Sequence, residues 1–210
     1  TPDEPKDPET PHFIPAYSQK VKASKEFQTF QFDHSFVLNS LKSSMEGYVF
    51  HNQPLDTDDL LEQTVKLFNS CKTSLELFDM LHNMRAYDDS THAHSLNVAL
   101  ICRRIGKWLK VAAATLATLT LCGLLHDIGK LKIPDEILNK PGKYTDEEFD
   151  LVKRHTKFGY ELLKPLNIDP HIKKAALLHH ERCDGSGYPL KATQKDLDDF
   201  SMVVAIADVY

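Results

Sequence analysis

Histidine and aspartate side chains recur at helical spacing in the second half of the chain, where they could share one interior. Five of them continue apolar helix stripes instead of polar faces, namely His94, His126, His179, His180 and Asp208. An unpaired polar side chain in a core costs about 1–3 kcal/mol, so a single such histidine is usually explained by a hydrogen bond to a backbone carbonyl. Several of them are better explained by a shared ligand, because divalent transition metals select imidazole and carboxylate donors in helical bundles. The stripes therefore predict a metal cluster.

Two adjacent pairs sharpen this prediction. His126-Asp127 falls at the end of a predicted helix, so its side chains diverge by about 100° and still face one cavity. In this arrangement the carboxylate can bridge two ions while the imidazole binds one. His179-His180 repeats the arrangement, and His155 lies between the two pairs in the sequence. The complete order of these residues is much more specific than either pair alone.

Apolar positions at helical spacing predict that helices position these side chains. One stripe runs from Leu116 to His126. The sequence at residues 145–148 has the pattern of a capping box, which predicts a short helix that ends near His155. The predicted fold class is all-α, a bundle of at least five core helices.

The N-terminal part of the chain has a different organisation. Regularly spaced prolines predict a disordered lead-in over residues 1–11. Residues 12–85 are interpreted as an accessory or regulatory segment that ends in helices, with residues 57–85 packed against the bundle or across a homodimer. The aromatic stretch 12–55 lacks a long periodic pattern, so we expect a small separate module, for which an α+β structure is one alternative. Residues 86–210 carry all the candidate ligands.

Composition excludes several classes of function. Lys and Arg number 25 against 30 Asp and Glu, a net charge of −5, so long nucleic acid is not expected as a partner. Apolar stretches such as residues 112–119 are shorter than the roughly 20 residues of a membrane span. The four cysteines form no Cys-x-x-Cys pair, which indicates reduced thiols and a cytoplasmic protein.

Four motifs carry a resemblance to a known family. They are HDIGK at 126–130, IPDEILNKPG at 133–142, HHER at 179–182 and DGSGYP at 184–189. Together they closely resemble the HD-GYP domain, a subgroup of the HD metal-dependent phosphohydrolases. The resemblance covers roughly residues 86–210 and implies an all-α HD-type bundle. It also implies that this catalytic domain is cut at its C-terminal end, because the family continues with further helices.

The resemblance implies an enzyme that hydrolyses the bacterial second messenger cyclic di-GMP to pGpG or GMP. It implies a centre of two or three divalent ions, iron or manganese, of which two are expected here, and a bridging hydroxide as the attacking group. The implied ligands are His94, His126, Asp127, His155, His179, His180 and Asp208. Asp127 would bridge the ions, and Lys130 would place its ammonium against a phosphoryl oxygen. Ser90 stands where a glutamate would reach a third ion, so a third metal is not expected.

The loop motif is assigned to substrate or partner binding. Gly187, Tyr188 and Pro189 are candidate substrate-binding residues, with Tyr188 either stacking on a guanine or packing the turn against the bundle. Glu181 and Asp184 are candidates for orienting imidazoles or binding a partner surface. His92 is expected to be exposed. Neither it nor the other remaining histidines are assigned a role; the others are His12, His34, His51, His82 and His171.

Two other functions are compatible with the sequence. One is a phosphodiesterase for another cyclic dinucleotide, because the specificity loops are not diagnostic. The other is a weakly active or inactive regulatory module whose GYP loop docks a partner such as a diguanylate-cyclase (GGDEF) domain. Departures from the family pattern after Pro189 motivate this second alternative.

Overall fold

The computed structural model describes residues 13–85, 87 and 90–209, so the predicted lead-in at 1–11 lies outside the described residues. These residues contain no β-strand, only an isolated bridge between Asp184 and Thr193. The helices are α1 (Phe13–Ala23), α2 (Lys25–His51), α3 (Thr57–Ser70), α4 (Ser74–Met84), α5 (Thr91–Trp108), α6 (Ala113–Leu125), the 3₁₀ helix Ile128–Lys132, α7 (Asp135–Leu138), α8 (Asp146–Lys153), α9 (His155–Leu163), α10 (Pro170–Leu178) and α11 (Asp199–Asp208). The predicted all-α fold class is confirmed.

Local sequence explains where many of these helices begin. Ser24, Thr73 and Asp198 each accept a hydrogen bond from a backbone N–H in the first turn of α2, α4 and α11. These caps satisfy donors that have no partner inside the helix. Thr145 and Glu148 form the predicted capping box at the start of α8. Ser90 caps α5 in the same way, with its hydroxyl 3.2 Å from the Ala93 N–H.

The core lies where α5 and α6 pack together and α10 and α11 cover them. Leu96 and Leu100 of α5 and Leu124 of α6 are completely buried, as is Val204 of α11. Their spacing is that of the apolar stripes, which explains why the ends of these helices are brought together. None of the described helices combines the length and the apolarity needed to cross a bilayer.

The N-terminal segment contributes to this same core. Phe27, Phe30 and Leu41 of α2 are buried in one cluster with Leu96 of α5, and α2 contacts α3, α5 and the 3₁₀ helix. The expectation of a separate module over residues 12–55 is therefore wrong for α2, and the α+β alternative does not apply to the described residues 13–85. The sequence of α2 does not show a clear amphipathic pattern, because further aromatic residues, such as Phe32, lie on the exposed face of the same helix.

Residues 57–85 form α3 and α4, as their spacing predicts. α3 contacts α5 and α6, and Leu60, Leu67 and Phe68 are buried in the shared core. This segment is thus packed against the bundle within one chain. A functional division at residue 85 stays a prediction.

Candidate metal centre

The seven predicted ligands lie at helix ends that converge on one buried point. His94 lies in the first turn of α5, and His155 is the first residue of α9. His126 and Asp127 directly follow α6, and His179 and His180 directly follow α10. Asp208 is the last residue of α11. Helix ends bring polar side chains to the centre without burying a charged group in the middle of an apolar stripe. The structure therefore brings together every ligand position expected from the sequence.

The ligand atoms form two groups that share one aspartate. One group consists of Asp127, His155, His179 and His180, and the other of His94, His126, Asp127 and Asp208. Within each group the ligand atoms lie within 4.8 Å of one another. Asp127 is 1% exposed, so its two carboxylate oxygens face the interior. This is the geometry in which one carboxylate can serve two cations.

Three of the imidazole rings have a defined tautomer. His126, His155 and His179 each donate from Nδ1 to a backbone carbonyl three or four residues earlier, at 2.8, 2.7 and 2.9 Å. A carbonyl only accepts, so the proton is on Nδ1 and the lone pair is on Nε2 when the ring is neutral. All three Nε2 atoms point into the site, where they are available as metal ligands.

The first group needs a cation to be electrostatically stable. The Nε2 atoms of His155 and His179 lie 3.2 Å apart, although neither carries a hydrogen in the neutral tautomer. Asp127 Oδ1 lies 3.3 and 3.6 Å from the same two atoms. It is buried and has no hydrogen-bond partner among the residues that the structure describes. Three electron pairs directed at one small volume repel each other. A divalent ion at this position would relieve the repulsion, so the donors fit a metal.

The second group shows the same preference for positive charge. Within the described part of the chain His126 Nε2 has no hydrogen-bond partner, and it lies 3.2 Å from Asp127 Oδ2 and 3.4 Å from Asp208 Oδ1. Burial alone would lower the pKa of His126, but these carboxylates raise the pKa to about 10. His94 Nε2 lies 2.7 Å from Asp208 Oδ1. The pocket therefore favours a cation next to its two carboxylates.

Two other rings are kept neutral by their surroundings. Burial lowers the pKa of His155 to about 4, and burial with the neighbouring imidazoles lowers the pKa of His180 to about 3. The pKa of Asp127 is held well below its usual range: burial would raise it, but His126 and Lys130 outweigh that effect. At neutral pH His155 and His180 are thus neutral and Asp127 is ionised, which are the protonation states in which these three residues bind metal.

Lys130 lies beside the shared carboxylate. The 3₁₀ helix that follows Asp127 directs the Lys130 ammonium back towards it, and Nζ donates to Asp127 Oδ2 at 2.6 Å. Gly129 makes this turn fit against α9, because a Cβ atom there would lie 1.9 Å from the His155 carbonyl oxygen. The HDIGK sequence therefore fixes a lysine, an aspartate and the start of the next ligand helix in one place.

The loop after His180 is held by Glu181. Its buried carboxylate accepts from the backbone N–H groups of Leu190 and Ala192, at 2.5 and 2.9 Å, so it positions the loop instead of an imidazole. Asp184 is exposed and accepts from Ser186 within the loop. Neither side chain therefore has the predicted role of orienting a ligand ring.

Lys130 and Tyr188 line a cavity of about 600 Å³ that opens next to His155 and His180. This volume is within the range of roughly 300–1,000 Å³ that is typical of small-molecule sites. The Tyr188 ring lies 4.8 Å from the His180 ring, centroid to centroid. Burial, followed by Asp127 and Asp208, raises the pKa of Tyr188 well above its usual value. The phenol thus stays neutral and forms a wall of the cavity while packing on a ligand histidine.

The other two loop residues line the groove on the other side of Tyr188. Gly187 and Pro189 line this groove with Lys153, Arg154 and Lys157, and Tyr188 lines both the groove and the cavity. A Cβ on Gly187 would lie 2.5 Å from the His180 carbonyl oxygen, so the glycine permits close packing on the chain itself. Their contact with substrate stays a prediction.

Comparison with known proteins identifies the family. The family model described as HD domain matches residues 58–210. The chain belongs to the HD domain family. The resemblance found in the sequence motifs is thereby confirmed.

Three curated relatives of this HD domain come from bacteria. The chain is 38% identical over 131 residues to the cyclic di-GMP phosphodiesterase PA4108 of Pseudomonas aeruginosa, covering 62% of this chain and 32% of that protein. It is 38% identical over 139 residues to a cyclic di-GMP phosphodiesterase of Thermotoga maritima, covering 65% and 37%. It is 32% identical over 187 residues to the 3′3′-cGAMP-specific phosphodiesterase 1 of Vibrio cholerae, covering 89% and 40%. The chain thus spans between about a third and two fifths of the length of these relatives.

A solved structure confirms the fold of this HD domain. Bd1817, described as a HDG"Y"P protein from Bdellovibrio bacteriovorus, matches with a TM-score of 0.69 at 19% identity. The match covers 93% of this chain and 68% of that one.

Sequence reasoning missed the part of the cavity that lies outside the HD motifs. His92 was expected to be exposed but is buried and lines the cavity, because α2 packs along α5. Lys42, Glu46 and Phe50 of α2 line the same cavity. Their spacing of four residues is visible in the sequence, but only the packing of α2 shows which cavity they share.

Proposed function

We propose that this HD domain is a metal-dependent phosphodiesterase that hydrolyses cyclic di-GMP to pGpG, GMP or both. The observation that supports this most strongly is the pair of ligand groups that share Asp127, next to a cavity large enough for a nucleotide. Relatives named cyclic di-GMP phosphodiesterases support the choice of substrate. Bacterial second-messenger signalling in the cytoplasm is the corresponding role.

The seven histidine and aspartate ligands would hold two divalent ions, with iron or manganese favoured by the mixture of imidazole and carboxylate donors. Bound ions of this type lower the pKa of a coordinated water and neutralise charge on the phosphoryl oxygens. Asp127 holds both positions together through its two oxygens, and His126, His155 and His179 are fixed by their Nδ1 hydrogen bonds. The ligand side chains are thus fixed in place before substrate binds.

Lys130 has the protein's own electrostatic role in this proposal. Its ammonium lies 2.6 Å from Asp127 Oδ2 and lines the cavity, so it can also contact a non-bridging oxygen of the substrate. A preorganised positive charge next to a developing phosphorane stabilises the transition state by several kcal/mol. Removal of one such donor typically costs about 3 kcal/mol of that stabilisation. The water oxygen adds to phosphorus, the bond from phosphorus to the 3′ oxygen breaks, and that oxygen takes up a proton. The product is a linear dinucleotide with a 5′ phosphate.

A second substrate is favoured by one specific comparison. The alignment with the 3′3′-cGAMP-specific relative extends over 89% of this chain, so a hybrid cyclic dinucleotide is a competing substrate at the same centre.

A regulatory role is the other alternative. The loop places Leu190 at the surface with 58% of it exposed, which is compatible with docking of a diguanylate-cyclase domain. A homodimer stays a further proposal of the same kind.

The experiment is a substrate panel on protein loaded anaerobically with Fe²⁺ or Mn²⁺. Cyclic di-GMP, 3′3′-cGAMP, cyclic di-AMP and the generic diester bis(p-nitrophenyl) phosphate would be compared by chromatography of the products. We expect hydrolysis of at least one guanine-containing cyclic dinucleotide. Metal-loaded protein that hydrolyses no phosphodiester would contradict the enzymatic proposal and favour the regulatory one.

A further inference from the structure

Helix α2 adds three chemically different side chains to the cavity that also holds Lys130. Lys42, Glu46 and Phe50 line it together with His155 and His180 ligands of the metal centre. A spacing of four residues places the three on one face of the helix, about 6 Å apart along its axis. The face therefore presents a cation, a carboxylate and an aromatic ring in sequence to whatever occupies the cavity.

These side chains are available to a ligand. Neither Lys42 nor Glu46 forms a hydrogen bond or ion pair with any part of the chain that the structure describes. Phe50 is 55% exposed, although a large apolar ring usually gains by burial. Lys42 and Glu46 therefore have unused binding capacity next to the metal centre. The Phe50 ring lies 5.5 Å from the Lys132 ammonium but keeps more than half of its surface exposed.

The position of this face relative to the metal centre is fixed. Lys132 donates to the Val49 carbonyl at 3.5 Å, which ties the end of α2 to the 3₁₀ helix that carries Lys130. The Tyr48 hydroxyl donates to the Leu162 carbonyl of α9. The α2 wall is thus held on both sides by the elements that carry catalytic groups, as a preorganised binding surface requires.

We propose that the α2 face reads one guanine base of the substrate, an inference that rests on the proposed function. Glu46 accepts from the N1–H and the exocyclic amino group of the guanine, which match the two oxygens of a carboxylate. Phe50 stacks on the base, and Lys42 pairs with the phosphodiester that is not being cleaved. Adenine presents a ring nitrogen lone pair at the same edge, so it would face Glu46 with a repulsive contact.

This reading surface lies outside the family motifs. The HD domain model matches residues 58–210, whereas α2 ends at His51. The metal centre is built from the family motifs, whereas the base contact is built from a helix that precedes the matched region. The specificity of the chain would then be set by residues that none of the metal motifs contains.

Recognition of a single base has a consequence for 3′3′-cGAMP. Its one guanine would bind at Glu46, so only one of its two phosphodiesters would face the metal centre. The protein should therefore release mainly one of the two isomeric linear dinucleotides. A site that reads neither base would release both.

The test compares wild-type protein with Glu46→Gln and with Glu26→Gln, which removes the same charge from an exposed position of α2 away from this cavity. Binding of non-hydrolysable phosphorothioate analogues of cyclic di-GMP and cyclic di-AMP is measured by calorimetry, and the cGAMP product isomers are separated by chromatography. We expect Glu46→Gln to reduce the preference for the guanine analogue by about tenfold and to give a mixture of isomers. Glu26→Gln should match wild type in both measurements.

The outcomes separate the two proposals. An unchanged ratio of guanine to adenine binding in Glu46→Gln, or mixed isomers from wild type, would overturn base reading by α2. Failure of metal-loaded wild-type protein to hydrolyse any phosphodiester of the panel would instead contradict the proposed enzymatic function, and the binding ratios would still test Glu46.

Discussion

The Nε2 atoms of His155 and His179 lie 3.2 Å apart at the centre of the bundle, with the Nδ1 of each ring already bonded to a backbone carbonyl. Two uncharged lone pairs at this distance are unfavourable unless a cation or a proton lies between them. The backbone therefore fixes the rings in an arrangement that a shared metal ion or a shared proton stabilises. This relationship connects local helix geometry to metal binding without reference to any relative.

Loss of Lys130 should separate catalysis from metal binding. We expect Lys130→Met to reduce kcat by about 100-fold while both metal positions stay filled, because its ammonium contacts Asp127 without being a ligand. Steady-state kinetics and metal analysis on the same sample check this. Lys164→Met, which removes an exposed lysine paired with Glu161, is the control. Loss of metal from Lys130→Met would show that the lysine has a structural role.

Removal of the Glu181 carboxylate should release the loop that follows it. Glu181→Ala leaves two backbone N–H groups without their acceptor, at a cost of about 1–3 kcal/mol in the free energy of unfolding. Hydrogen exchange at Leu190 and Ala192 should accelerate while metal content is unchanged. Asp184→Ala, at an exposed position of the same loop, should affect neither amide. Protection that persists in Glu181→Ala would refute this role.

Helix α2 should unfold together with the metal-binding bundle. Leu41 is completely buried in the common core, so Leu41→Ala should reduce the free energy of unfolding of the whole chain by about 3 kcal/mol. Phe36→Ala, at a position 63% exposed, should change it by less than about 0.5 kcal/mol. Denaturant unfolding followed by circular dichroism measures both. A separate early transition in Leu41→Ala would restore the interpretation of α2 as an independent module.

Asp198 should stabilise the chain only above acidic pH. It caps α11 by accepting from the Ser201 N–H and also accepts from His171 Nδ1, each at 2.8 Å. Burial would raise its pKa, but these hydrogen bonds lower it below the usual value. The stabilisation is therefore complete above about pH 4 and is lost as pH falls through the lowered pKa.

Asp198→Ala should accordingly cost about 1–2 kcal/mol at neutral pH, with the difference from wild type shrinking below pH 4. Thermal unfolding over a pH series tests this, and Asp199→Ala at the next, exposed position is the control. A difference that is the same at pH 3 and pH 7 would contradict the assignment.

The metal centre could be predicted from the sequence because each ligand is fixed by local rules. Helical periodicity directs His126 and Asp208 inward, and the HD and HH pairs fall at helix ends where side chains diverge. No long-range information is needed for these steps. The capping box at Thr145 and the helices of residues 57–85 are local features in the same sense.

The remaining features depend on contacts between distant parts of the chain. Helix α2 has aromatic residues on both its buried and its exposed faces. The hydrophobic periodicity of its sequence therefore does not reveal which face packs against the core. His92 is covered because α2 lies along α5, and Glu181 turns away from the imidazoles because the loop backbone supplies two donors. Each of these outcomes is decided by tertiary packing, which outweighs a local pattern.

The most direct measurement is the metal content of matched variants after anaerobic loading and removal of loose ions. Wild type should hold two ions. His155→Ala and His94→Ala should each lose the ion of their own ligand group and keep the other. Because Asp127 belongs to both ligand groups, Asp127→Asn should hold neither ion firmly. His51→Ala, at an exposed position, is the control and should equal wild type. Less than one ion in wild type, or two ions retained by Asp127→Asn, would contradict the shared-aspartate centre.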